Sequence, residues 1–201
     1  MDQILLHTCC GPCSTVAVPH WRAEGLEPLG LFANPNIQPD VERGRRLAAL
    51  RRYAAAADLE LRVDETGVAA WQAAVRQPAA APAGSPATVR ERCGACLQMR
   101  LTEAAFTAAA GGQTLFSTSL TVSPWQHHDL IARAGYEAAA LAGVEFVYAD
   151  LRRWYPRSIE ESRRLELYRQ PYCGCVPSKW EAWHERWARR RAKAAQQRPP
   201  A

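Results

Sequence analysis

The chain has 201 residues, 48% hydrophobic and 22% charged, with a formal net charge of +5. This is one domain's worth of ordinary globular composition, and it excludes wholesale disorder. No run of about 18 apolar residues occurs, so no membrane-spanning helix is expected. Met1-Asp2-Gln3-Ile4 lacks the basic and long apolar stretches of a secretory leader, so none is expected. The charge is uneven: residues up to Pro177 carry 18 basic and 18 acidic groups, whereas Ser178–Ala201 carries seven and two. The surplus therefore lies in a basic tail, which points either to a polyanionic partner, nucleic acid first, or to a solvated terminal helix.

In chain order, Ile4–Thr8 is a short apolar run that predicts a buried strand, closed by a Cys/Gly/Pro turn. Ser14 is placed to cap a helix to about Glu24. Leu29–Ala33 predicts a second strand, ended by the turn Asn34-Pro35-Asn36, and Val41–Ala57 an Arg/Ala/Leu-rich helix. Leu59–Val63 predicts a third strand and Thr66–Val75 a helix; Gln77–Ala87 has the Pro/Ala/Gly composition of a mobile linker. A helix from Cys93 to Ala110, a strand at Thr114–Phe116, a helix from Trp125 to Leu141 and a strand at Glu145–Tyr148 follow. After Asp150 the pattern is helical, over Ile159–Tyr168 and again from Trp180 to about Ala195. Strands alternating with helices predict a parallel sheet covered on both faces, a three-layer α/β/α fold. The expected organisation is one α/β catalytic domain over 1–177, followed by a basic helical C-terminal extension over 178–201.

The seven cysteines fall in three tight groups: Cys9, Cys10 and Cys13; Cys93 and Cys96; Cys173 and Cys175. Clustered thiols in a chain expected to lack a leader point to metal or redox chemistry in the cytoplasm rather than to structural disulfides. In an open parallel sheet the working edge lies beyond the carboxyl ends of the strands. Cys9, Cys10 and Cys13 follow the first strand and Asp150 the last, so both fall at that edge, and the helix start beside Cys13 should lower its thiol pKa. Three readings compete. Cys10-Gly11-Pro12-Cys13 has the spelling of a dithiol oxidoreductase motif, but Cys9 and four further cysteines are superfluous to it. Four cysteines suffice for a structural zinc knuckle in a non-enzymatic RNA-binding module. Seven thiolates with a carboxylate exceed that need, and soft ligands in such number suit iron–sulfur chemistry. Gly174 lets the Cys173/Cys175 pair bend toward one metal. Tyr168, Arg169 and Tyr172 are placed to stack on a base or hold phosphate, or simply to pack on the core. His127 and His128 suit surface or capping roles, and His7, within a strand, a core role.

Six segments carry a family resemblance: LLHTCCGPCS (Leu5–Ser14), FANPNIQP (Phe32–Pro39), RCGACLQMRL (Arg92–Leu101), STSLTVSPWQHHDLI (Ser117–Ile131), ADLRRWYPRS (Ala149–Ser158) and YRQPYCGCVPS (Tyr168–Ser178). In this order they resemble the QueH-type epoxyqueuosine reductases nearly to the end of the chain. The resemblance implies a fold similar to the adenine-nucleotide α-hydrolase and PP-loop group. CCGPCS stands where a PP-loop ATPase has its pyrophosphate cradle, so ATP is not expected. It implies the cobalamin-independent reduction of epoxyqueuosine to queuosine at the tRNA wobble position, with electrons from an external donor. It also implies a [4Fe-4S] cluster held by three cysteines and an aspartate beside an additional iron ion. The ligand candidates carried over are Cys9, Cys10, Cys13, Cys93, Cys96, Cys173, Cys175 and Asp150, with Cys9 and Asp150 at the reacting centre and Asp150 or His7 as proton donor. Gly11 stands where the family often has Ala, and Trp125 where it often has Tyr. Arg189, Arg190 and Arg191, with Arg169 nearer the site, are placed to contact phosphates.

Overall fold

The computed structural model describes residues 2–65, 67–75 and 86–196. Strand β1 (Asp2–His7) is apolar on both faces, with Ile4, Leu5 and Leu6 wholly buried, and such a strand belongs at the centre of a covered sheet. It pairs in parallel with β2 (Leu26–Phe32) on one side and β4 (Leu115–Thr118) on the other; Leu5 lies opposite Leu29 and Phe116. Parallel β3 (Leu61–Val63) and β5 (Glu145–Phe146) complete a five-stranded sheet of order β3-β2-β1-β4-β5.

Helix α1 (Gly11–Ala23) packs on α2 (Asp40–Ala56) and α6 (Tyr155–Arg164). Helix α4 (Pro86–Ala110) packs on α5 (His128–Ala142) and on α3 (Val68–Val75). Right-handed crossovers in a sheet that reverses direction at β1 put these two groups on opposite faces, giving the expected three-layer α/β/α architecture. The reversal opens a crevice between the carboxyl ends of β1 and β4, where Cys9 begins.

The helix boundaries that differ most from the sequence reading lie at prolines. Helix α1 starts at Gly11 with Pro12 in its first turn and Cys10 as N-cap; Ser14 lies inside it and bonds back to the Cys10 carbonyl at 2.9 Å. Helix α4 starts at Pro86, so Cys93 and Cys96 occupy its interior, three apart on one face, instead of opening it. The expected linker lies outside the described residues over 77–85, and its last two residues belong to α4. Pro124 holds Trp125 in an exposed turn, and α5 begins only at His128. Helix α6 begins at Tyr155, followed by Pro156, and ends at Arg164, which frees Tyr168 from any helix. The last helix, α7 (Val176–Gln196), begins directly after Cys175.

Helices α1 and α2 meet at Gly11, where an added Cβ would stand 2.8 Å from the carbonyl oxygen of Ala49. We expect Gly11→Ala to cost about 1–3 kcal/mol through overpacking. Gly44→Ala, on the exposed side of α2 with open space around it, should gain up to about 1 kcal/mol from helix propensity. Thermal melts of the two variants, opposite in sign, check this.

Candidate metal centre and cleft

The chain leaves β1 under tight control. The Thr8 amide and hydroxyl both donate to the Leu31 carbonyl, at 2.8 and 3.0 Å, and Asn34 Nδ2 donates to the Thr8 carbonyl at 2.7 Å. This fixes the turn carrying Cys9, Cys10 and Cys13, whose three buried sulfurs lie within 4.8 Å of one another with no disulfide between them. Cys9 Sγ and Cys10 Sγ are 3.7 Å apart. Two thiolates on one four-coordinate metal stand about 3.8 Å apart, so this is the spacing of a one-ion site.

Within the triad Cys10 is the acidic member. Cys13 and Cys9 both donate toward its sulfur, and Gln170 Nε2 adds a hydrogen bond at 3.0 Å, so its pKa falls well below the ordinary thiol value. Having donated to Cys10, Cys9 is pushed up to about 11 and Cys13 is raised as well. The helix-start argument therefore fails for Cys13; the N-cap position and the local donors favour Cys10.

The other four thiols gather from α4 and the loop before α7. Cys96 and Cys175 are buried in a small apolar cluster with Trp71. Burial pushes Cys93 up to about 12, with further repulsion from Cys173, and raises Cys96 too. Among the described residues no three of these four meet the triad's spacing. Two contributors to α2 and its preceding turn hold the Cys173–Cys175 loop. Arg46 donates to the carbonyls of Cys173 and Tyr172 at 2.7 and 3.0 Å, and to Glu42 at 2.8 Å. The Gln38 amide donates to the Gly174 carbonyl, and Tyr172 Oη to the Gln38 carbonyl at 2.5 Å. A Cβ on Gly174 would stand 2.7 Å from Asn36 Nδ2, so only glycine lets the loop approach this turn. Tyr172 and Tyr168 thus anchor polar groups, Tyr168 Oη donating to Glu42 at 2.7 Å.

The charges around the thiols were not visible in the sequence. Arg46 and Arg100 are 1% and 2% exposed. Arg100 bonds only neutral partners, Asn34 Oδ1 at 2.6 Å and His7 Nε2 at 3.4 Å, and its Nε is buried without an acceptor. No carboxylate among the described residues forms an ion pair with it. A buried guanidinium favours negative charge on its neighbours: its charge opposes, without overcoming, the Cys10 hydrogen bond that raises Cys9 and the burial that raises Cys96. Burial opposes the charge of Arg46, which Glu42 and then Cys10 and Cys9 restore. The donor set and these cations fit a buried anionic metal–thiolate centre.

Cys9, Cys13 and Cys173 open onto a cleft of about 390 Å³ walled on one side by α7. Neither His7 nor Asp150 lines it. His7 is wholly buried, with Nδ1 2.9 Å from Thr118 Oγ1; burial, and then Arg100, lower its pKa to about 3, so it is a neutral core residue. Asp150 is exposed and taken up by Arg152, its Oδ1 2.9 Å from Arg152 Nε, which lowers it to about 2; His128 lies 3.9 Å away. His128 is itself held by Tyr148 Oη and the Ser123 carbonyl, a structural role.

A parallel three-layer α/β protein with a buried triad of reduced thiols beyond the carboxyl end of its central strand has a donor set consistent with metal binding. The family model described as Epoxyqueuosine reductase QueH matches residues 4–181, and the chain belongs to that family. Curated relatives named Epoxyqueuosine reductase QueH include those of Dehalococcoides mccartyi, 36% identical over 89% of this chain and 93% of the relative, and Thermotoga maritima, 32% identical over 88% and 90%. That of Acinetobacter baylyi is 31% identical over 88% and 80%. Among solved structures, a predicted subunit of a tRNA methyltransferase from Methanocaldococcus jannaschii overlays with a TM-score of 0.47 at 9% identity, over 81% of this chain and 76% of that one, too loosely to carry more.

Removing the Arg46 side chain should free the Cys173–Cys175 loop and leave Glu42 buried without its ion-pair partner. We expect Arg46→Met to cost about 3–5 kcal/mol in chemical denaturation and to speed alkylation of the buried Cys175 thiol in the native protein.

Proposed function

We propose that this chain reduces epoxyqueuosine to queuosine at the wobble position of tRNA, without cobalamin, in the reducing cytoplasm where its thiols stay free. The observation that carries the reading is the buried Cys9/Cys10/Cys13 triad at the cleft, with the buried Arg100 beside it, for which no carboxylate partner is found among the described residues. Converting the epoxide to an alkene takes two electrons and two protons and releases the oxygen as water. The electrons come from an external donor.

The proposed resident groups, a [4Fe-4S] cluster and an additional iron ion, would supply electron relay and Lewis acidity toward the epoxide oxygen. Cys9, Cys10 and Cys13 have the spacing for the single ion. Cys93, Cys96, Cys173 and Cys175, which sense one another's charge, are the candidates for the cluster's three cysteine ligands, with Asp150 its candidate carboxylate ligand once released from Arg152. The remaining chemistry belongs to the polypeptide. Gln170 and the neighbouring thiols lower the Cys10 pKa and so favour the thiolate form that a ligand takes. Arg100, oriented by Asn34 and His7, offsets negative charge on both thiol sets. Cys9 and Cys13 present their sulfurs to the cleft, which shields a splayed-out base from bulk water. Its buried, proton-poor ring excludes His7 as the proton donor.

Dithiol exchange fits less well. Its nucleophile would be Cys10, the thiol of lowered pKa, yet Cys10 is wholly buried and does not line the cleft, which leaves a partner disulfide no open approach to it.

Protein purified without oxygen should contain roughly four or five irons and about four sulfides per chain, and should form queuosine in epoxyqueuosine-containing tRNA when given a reductant. One zinc without sulfide, persisting through anaerobic reconstitution, would overturn the reading in favour of a zinc-stabilised RNA-binding protein. Arg100→Gln should retain the fold by circular dichroism but lose at least half of the bound iron on desalting, whereas Arg100→Lys keeps most of it.

A further inference from the structure

Trp125 is 69% exposed, a large apolar surface left in water at the rim of the cleft it helps to line. Its turn is rigid: Pro124 precedes it, and its amide donates to Ser123 Oγ at 3.3 Å. Across the rim, Arg189 of α7 sets its guanidinium 6.0 Å from the centre of the Trp125 ring. The carboxylate that answers Arg189 is Glu185, 3.4 Å away in an exposed pair, which is a weak hold on either partner. Arg186, on the same face of α7, is tied to the Pro171 carbonyl at 2.9 Å, and Arg169 also lines the cleft. Glu181 is already engaged by Arg92 at 2.8 Å. The rim thus combines an exposed indole face with guanidinium groups in excess of free carboxylates.

The helical register separates this rim from a second aromatic feature. Glu181, Glu185 and Arg189 recur every four residues on the face that borders the cleft, whereas Trp180, Trp183 and Trp187 lie on the opposite side of α7. The tryptophan stripe therefore takes no part in the cleft.

A flat aromatic face paired with an exposed guanidinium is the arrangement that holds one nucleotide of a single strand: the ring stacks on the base and the cation meets the phosphate. We propose that Trp125 and Arg189 form a clamp for the nucleotide adjoining the one that enters the cleft, Trp125 stacking on its base and Arg189 pairing with its phosphate. The inference rests on the tRNA-directed reading above. It makes these two residues positioning groups for the loop and assigns them no part in reduction.

The test is fluorescence anisotropy with an end-labelled, unmodified anticodon stem–loop RNA and iron-loaded protein. Trp125→Ala should raise Kd about tenfold, the scale of one lost stacking contact, and Trp125→Phe should recover most of it. Arg189→Ala should lower the slope of log Kd against log salt by about 0.7, one phosphate contact to a single strand, while Arg189→Lys keeps the slope. Iron content and melting temperature should match the wild type in all four variants. Wild-type affinity in Trp125→Ala, or a wild-type salt slope in Arg189→Ala, overturns the clamp alone. A wild-type protein that does not bind the stem–loop at all overturns the tRNA-directed reading together with it.

Discussion

The structure depends on a charge held where charge is costly. Arg100 is buried between β1, the turn after β2 and the face of α4 that bears Cys96, with neutral partners at its nitrogens. A guanidinium in that position favours negative charge on nearby groups, and it acts on the thiols on either side against the effects that raise them. The cation therefore couples the two cysteine sets electrostatically. Arg46 does comparable work from α2, with the difference that its hydrogen bonds also hold the Cys173–Cys175 loop in place. In Arg46 electrostatics and fold stability are joined: the side chain that senses the Cys9 and Cys10 charges also ties the C-terminal loop to the first half of the sheet.

The gross architecture was legible in the sequence because each strand is short, apolar and followed by a helix. Only a parallel covered sheet accommodates that rhythm, and it brings Cys9 to the carboxyl edge of the central strand. The cysteine groups were legible as ligand candidates for a related reason, since thiols so tightly spaced have few other uses. The exact helix starts were not. Pro12, Pro86 and Pro156 fall in the first turns of their helices, where a missing amide hydrogen costs nothing. Read locally, the same residues look like breakers.

Other parts of the site were hidden for a different reason. Arg46 belongs to a helix so rich in arginine that every one of them resembles a solvated surface residue, and Arg100 follows its cysteines at a distance that carries no motif. Their roles come from long-range packing: Arg46 meets Tyr172 and Cys173 more than 120 positions away in the chain. The motif Asn34–Pro39, conspicuous for its prolines, supports the Cys173–Cys175 loop and Arg100 and contributes no ligand. The tail, set apart in the sequence by its charge, includes the helix that walls the cleft.

The thiol groups come from the first residues of the chain, from its middle and from its last fifth, and the loop bearing Cys173 and Cys175 is held by Arg46 from the first quarter. Synthesis therefore has an order built into it. The Cys9/Cys10/Cys13 turn and Arg46 emerge early, and the side chains that enclose them emerge last. A nascent chain holds unsheltered thiols beside an arginine whose final partners do not yet exist. The pocket is complete only when the segment through Cys175 has been made, so the early triad stays unenclosed until the loop held by Arg46 closes over it.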